Sequence, residues 1–507
     1  MLWIALHLPA LSLESFAATL GALRHALPLA LLQGQRIAAA NRVAQQLGIK
    51  PGFKRATALA LAPQLRFGQA DAARDAQALR AVAHAALAFT PMVTLDGDAC
   101  VLLEVRGSLR CFGGLPSLQQ RLRSALAPLG HRLCMASAST AAGAALLARW
   151  RPGFELGAQA DSLGALCALL DAAPVWLLAA GRAHGDALQG MGLHTLGDLR
   201  RLPRSGLARR FGEALLVELD RACGACPDPR DALLPEPHFE ARVELFERAD
   251  NSEQLLQGAL LLLAQLLAWA QARQARIGGF VLAMHHERRH RGDTATPEHT
   301  ELALALAEAS NDLQHLRLLL RERLARLVLP APTLALHLCC HQLQRSAAPN
   351  AELFPTAASA QQGLTRLIER LQARLGPDQV QQPVLREDHR PEHATAWQPV
   401  RPQGSVRAAP AGTQLAAAAG LPIRPVWLLP QPQPLPEQQS RPLLDGRLLQ
   451  LLAGPERIES GWWDGAHAAR DYFIAQAHDG ALVWVYRERL PLAQPAGKDW
   501  YLHGRFG

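Results

Sequence analysis

A chain of 507 residues is too long for one ordinary hydrophobic core, and at about 150 residues per domain it should divide into three or four. Its 49% hydrophobic and 19% charged content is that of a soluble globular protein, and eight scattered cysteines are too few for a disulfide scaffold. A net charge of +8, with only three lysines among the 52 basic residues, permits contact with nucleic acid without demanding it. The longest apolar runs are broken by Arg, Gln or His before bilayer length, so no membrane association is expected. The opening MLWIALHLPALSLESF has no basic n-region and no small-residue cleavage site, which points to the cytoplasm.

The first strand is expected over 2–8, stopped by Pro9, and Ala-rich helices follow, among them 36–47, ended by Gly48 and the Pro51-Gly52 turn. Residues 71–87 read as an amphipathic helix with Ala76, Leu79, Ala83 and Leu87 at helical spacing. FTPMVTLDGDACVLLEVRGSLRCFGG (89–114) is a strand segment closed by glycine turns, then come a helix near 117–129 and the strand-to-helix passage CMASASTAAGAALLARW. This alternation implies helices packed on a sheet.

From 161 to 220 the pattern is helical. In ALQGMGLHTLGDLRRLP the turn at Gly190 and Gly192 joins two short helices, the second capped by Thr195. Such a hairpin can aim backbone N–H groups at a DNA phosphate, or it can be a simple helical corner. Cys223 and Cys226 form the one Cys-x-x-Cys, and without a second pair they read as incidental cysteines at a helix end. Residues 238–341 follow the order β-α-β-(β)-α-β of a split βαβ domain. Eight prolines between 401 and 436 suggest an extended linker, after which Leu482, Trp484 and Tyr486 alternate beyond the Asp479-Gly480 turn as in a hairpin.

Four segments in this order resemble the Y-family translesion DNA polymerases over residues 1–340. RIAAANRVAQQLGIKPGF (36–53) is similar to the fingers motif, 89–114 to the second palm motif, 134–150 to the palm's strand-to-helix passage, and LGDLRRLPRSGLARRFG (196–212) to the thumb. The resemblance implies an α+β multidomain right hand with a C-terminal extension. The palm-like part takes 1–20 and 68–160, the fingers 21–67, the helix-hairpin-helix thumb 161–235 and the split-βαβ little finger 236–345. A linker over 346–440 and a small C-terminal module over 441–507 complete the expected division.

Active members hold two magnesium ions on one Asp of the first strand and an Asp-Glu pair of the second motif. Here those positions fall on His7, Ala99 and Cys100, the triphosphate-holding Tyr and Arg of the fingers on Arg42 and Gln45, and the lysine of the palm's strand-to-helix passage is missing. Asp96 and Asp98 could form a shifted site with His7, but hard magnesium disfavours imidazole and the first carboxylate after the strand is Glu14. A solvated turn before a buried strand is the preferred reading of the two aspartates, and no metal or cofactor is expected.

LIERLQARLG (367–376), DHRPE (388–392), RPVWLL (424–429), GPERIESGWWDG (454–465), ARDYF (469–473) and WYLHGRFG (500–507) resemble the tail of the ImuB family, the inactive Y-family homologues of bacterial mutagenesis cassettes. That resemblance implies an adaptor for DNA, the sliding clamp (β subunit), an error-prone C-family DNA polymerase and the RecA-like cassette partner ImuA. The clamp-binding peptide is sought at Leu353 and Phe354 in NAELFPT, with QLAAAAGLP from Gln414 as a rival; a tethering loop fits the first equally well. Sequence-independent DNA contact is expected from Gly190, Gly192, Thr195, Arg209 and Arg210. Trp462, Trp463, Arg470, Tyr472 and Trp500 are candidates for partner binding, although a small β-rich core would also use such aromatics and Arg470 could pair internally with Asp471. An active polymerase with a shifted metal site and a purely structural DNA-binding protein are the competing functions.

Overall fold

The computed structural model describes residues 1–154, 162–287, 297–345, 357–400, 424–489 and 499–506. Two compact units form, Met1–Arg366 and Leu367–Gly507.

In the first unit, strand Trp3–His7 lies inside an antiparallel sheet ordered Val93–Leu95, Cys100–Glu104, Trp3–His7, Cys134–Ala138. Side chains alternate across a strand, so Ile4 and Leu6 join one core, with helices Ala72–Ala86 and Leu115–Leu126, while Trp3 and Ala5 join another, with helix Ala141–Trp150. A strand covered on both faces reads as an unbroken apolar run, and each leucine so buried contributes about 1.5–3 kcal/mol. Asp71 caps the first of these helices by accepting from Ala73 and Arg74 N–H. Thr140 caps Ala141–Trp150 and donates its hydroxyl to the Ala222 carbonyl at 2.8 Å, tying the sheet layer to helix Glu213–Cys223. At Gly143 a Cβ would stand 2.5 Å from the Thr140 hydroxyl and 2.8 Å from Leu166, so only glycine permits this approach.

The helix expected over 36–47 is two elements. Arg36–Ala40 is a strand, paired antiparallel with Leu29–Gln33 around a turn where Gly34 has φ +63°, and Asn41 then caps the short helix Arg42–Gln46. Three consecutive alanines carry no period, and their helix propensity misleads where Ile37 and Ala40 need a sheet to be buried.

Residues 239–345 form the sheet His299–Ser310, Ala275–His286, Thr333–Arg345, Phe239–Ala249, with helices Ser252–Ala272 and Leu313–Ala325 packed on it. Helix Ser252–Ala272 is long and apolar enough to cross a bilayer, yet 67% of its most apolar window is buried inside the protein. The helices bury Leu282, Met284, Leu336 and Leu338; Glu240, His299, Glu301 and His337 stay accessible on the opposite face.

The second unit begins with residues 367–375 of helix Ala357–Leu375 and the hairpin Gln381–Leu385/Thr395–Pro399. Its main sheet is ordered Trp427–Leu435, Trp500–Arg505, Leu482–Glu488, Ala468–Gln476, Gln450–Ser460. The expected linker of 346–440 therefore contains structure, and the folded module starts well before 441. Prolines 430, 432 and 434 lie on strand Trp427–Leu435 at the edge of the sheet, where a missing N–H costs no ladder bond on the open side. In strand Leu482–Glu488 both sets are buried, Val483 and Val485 in one core and Trp484 and Tyr486 in another.

Candidate functional site

His7 and Cys100 face each other in register on the sheet face covered by helix Ala141–Trp150. The His7 ring hydrogen-bonds through Nδ1 to the Ala99 carbonyl at 3.2 Å, and burial, with the Arg149 charge adding to it, lowers the imidazole pKa. Burial pushes the wholly enclosed Cys100 thiol up to about 12, so it stays protonated. The three positions onto which the sequence resemblance maps the acids of a two-metal centre thus meet at one end of the sheet, as an imidazole, a methyl group and a thiol.

The nearby carboxylate is engaged. Asp96 accepts from Arg149 at 3.2 Å and from Arg230 at 2.8 Å, and Arg230 in turn pairs with Asp228 at 2.9 Å. The solvated-turn reading holds for exposed Asp98 but not for Asp96, which two guanidiniums clamp at the rim of a 440 Å³ cavity. Arg149, Arg182, Arg221 and Arg230 all line that cavity. Glu14 points elsewhere, accepting from Arg132 N–H at 2.9 Å and lying 3.6 Å from His131. Sequence reasoning missed both clamp arginines: Arg149 stands next to the end of the strand-to-helix segment 134–150 but is given no role there, and Arg230 lies in no motif.

At the helical hairpin, Gly192 takes the left-handed conformation at φ +75° and Thr195 caps helix Leu196–Arg201 in a capping box with Asp198. The expected outward N–H groups are not available. Met191 and Gly192 donate to Leu188 and Gln189, His194 and Thr195 donate to the Asp198 carboxylate, and Leu196 donates to Ala173. A strand-like bridge between half-buried Pro174 and Thr195, with Val175 N–H donating to the His194 carbonyl at 3.0 Å, closes the turn's open side. Gly190 and Gly192 are exposed, but any grip on phosphate there falls to side chains. Arg209 and Arg210 are exposed on helix Arg204–Phe211 and form no ion pair among the described residues.

In the second unit the tail motifs converge. Arg390 of DHRPE bonds Asp388 and, across 74 residues, Asp464 of GWWDG, while its guanidinium lies 5.7 Å from the Trp463 ring. Arg470 pairs with Glu392 at 2.7 Å and Glu488 at 3.7 Å, and Asp471 with Arg457 at 2.9 Å. An Arg470–Asp471 pair is not formed, since adjacent strand residues point to opposite faces. Of the candidate partner contacts, Trp462 and Trp463 are exposed at 76% and 56% and meet edge to face at 5.6 Å. Tyr472 and Trp500 are instead core residues: Tyr472 stacks on Trp484 at 4.0 Å and hydrogen-bonds His503 at 2.8 Å, and Trp500 packs against Phe473. Leu353, Phe354 and Gln414 lie outside the described residues.

Residues 12–149 match the model of the impB/mucB/samB family, and the chain has an α+β multidomain fold with a C-terminal extension. Two curated relatives, each called Protein ImuB, from Caulobacter vibrioides strains NA1000 / CB15N and ATCC 19089 / CIP 103742 / CB 15, are 31% identical over 490 residues, spanning 91% of this chain and 100% of theirs. The chain belongs to the ImuB family. Similar solved structures include a Dbh ternary complex with partially disordered substrates (TM-score 0.39, 15% identity) and DinB from Sulfolobus solfataricus (0.38, 14%), each covering 67% of this chain and 98% of its own.

Proposed function

We propose that this protein is a non-catalytic, polymerase-like adaptor of translesion synthesis, working in the cytoplasm. In this reading it holds DNA and brings the sliding clamp, an error-prone C-family polymerase and the RecA-like partner ImuA to the lesion. The observation that carries the reading is the carboxylate-free trio His7, Ala99 and Cys100 beside an Asp96 already neutralised by Arg149 and Arg230. Phosphoryl transfer of this class needs oxygen ligands for two hard cations, and imidazole and a protonated thiol do not replace them. Arg209 and Arg210 support a phosphate grip, and the exposed Trp462–Trp463 pair supports docking of a protein partner.

The test joins primer extension to a pull-down. Purified protein should extend no primer with magnesium or manganese while capturing the clamp and the C-family polymerase. Extension that disappears in Asp96→Asn would overturn the adaptor reading and favour a shifted metal site.

A further inference from the structure

The accessible face of the sheet in residues 239–345 carries a cluster that the polymerase-like reading leaves unused. Cys339 stands directly opposite Glu240 in the pairing of strands Thr333–Arg345 and Phe239–Ala249. His337, two residues before Cys339 on the same strand, points to the same face by the strand's period. The His337 Nε2 atom lies 2.9 Å from Glu240 Oε1 and 3.6 Å from Cys339 Sγ, and one ligand atom from each residue falls within 4.8 Å of the other two. Among the described residues no other such group of three occurs.

We propose that Glu240, His337 and Cys339 form a binding site for a zinc-class divalent cation. Nitrogen and sulfur sharing a tetrahedral zinc, with bonds near 2.0–2.1 and 2.3 Å, stand about 3.5 Å apart, close to the separation found here. The Glu240 oxygen is somewhat too near the imidazole for a shared metal. Its side chain is 72% exposed, so opening by a few tenths of an ångström meets no packing. Thiolate and imidazole select zinc over magnesium, which distinguishes this site from the hard-cation chemistry of a polymerase palm. A fourth position stays open toward solvent, and the His285 ring, 6.2 Å from that of His337, flanks the site. Arg242, opposite His337 in register, has its guanidinium 3.9 Å from Glu244.

The experiment uses the full-length protein without a polyhistidine tag. Zinc alone is titrated against a chromophoric chelator, and cobalt is used as a spectroscopic stand-in. One equivalent should bind, cobalt should give a thiolate charge-transfer band, and zinc should protect Cys339 from alkylation while exposed Cys111 stays reactive. His337→Gln and Cys339→Ser should each weaken zinc by at least about 100-fold, above the cost of outer-shell changes. Cys226→Ser should leave the affinity unchanged. The proposal is overturned if zinc fails to protect Cys339, or if both ligand variants, folded by circular dichroism, bind zinc as the parent does. Glu240→Gln, exposed and safe for folding, gives an independent reading and should lower affinity without removing the cobalt band.

Discussion

Arg390 grips Asp464 with both terminal nitrogens, at 3.1 and 2.6 Å, and so fastens the DHRPE segment to the GWWDG turn. The same guanidinium holds Asp388 and the Ala466 carbonyl. A lysine offers one point charge and cannot reproduce this fork. Arg390→Lys should therefore lower the melting temperature of the second unit almost as much as Arg390→Ala, by several degrees. Equal melting of Arg390→Lys and the parent would show that only charge matters.

The exposed tryptophan pair and the buried aromatics should separate in mutagenesis. Trp462→Ala with Trp463→Ala should change stability by less than about 1 kcal/mol yet abolish capture of the cassette partners. Trp500→Ala, in the core, should cost about 3–5 kcal/mol. Chemical denaturation and pull-down on the same samples distinguish the two outcomes.

On the proposed adaptor reading, acids placed at positions 99 and 100 should not supply polymerase chemistry. Ala99→Asp with Cys100→Glu leaves His7 on the first strand and Gln45 in the fingers, so no primer extension is expected. Cys100 has no solvent exposure, and a carboxylate there must be desolvated, which should destabilise the fold by several kcal/mol or hold the new acid neutral. Measured incorporation by this double variant would contradict the account of the site.

Arg209→Ala with Arg210→Ala should weaken DNA binding on any sequence. If each arginine meets one phosphate, the slope of log affinity against log salt should fall by about 2. An unchanged slope, measured by fluorescence anisotropy, would remove these side chains from the interface.

Acid should loosen the second unit through His503. Burial, with Arg470 adding to it and Glu392 opposing, pulls this imidazole down to about 4, so it is neutral in the fold, whereas an unfolded histidine takes up its proton near 6.5. The contribution is complete above about 6.5 and is lost as pH falls toward 4, at up to about 1.4 kcal/mol per pH unit. Asp388, held down to about 2 chiefly by its hydrogen bond with Arg390, adds its own loss only below 3.8. His503→Gln should flatten the melting profile between pH 6.5 and 4 and leave the lower window intact.

Much of the fold was legible because local signals agreed with burial. Pro9 stops the first strand, Asp71 caps a helix whose apolar stripe reaches the core, and the lengths of the segments from 238 to 341 announce a split βαβ domain. The composition of 424–436 was misleading, since prolines on an edge strand look like a linker when pairing partners are unknown. Nor does sequence show that Arg149 and Arg230, 53 and 134 residues from Asp96, converge on it. Trp462 and Trp463, 38 and 37 positions before Trp500, look no different from it, and only packing tells surface from core.

Strand Leu482–Glu488, apolar toward both sides, has a further consequence for the uniqueness of the second unit. Sliding it by one residue would exchange Val483 and Val485 for Trp484 and Tyr486 without sending either set into water. Hydrophobicity is nearly blind to such a slip. Alignment is read instead by polar detail on the strand itself: Glu488 stands opposite Arg470 in register and its carboxylate lies 3.7 Å from that guanidinium, a pairing that a one-residue slip would break. A variant lacking that carboxylate would keep its oily interior and lose its single answer, populating misaligned conformers that bury just as much surface.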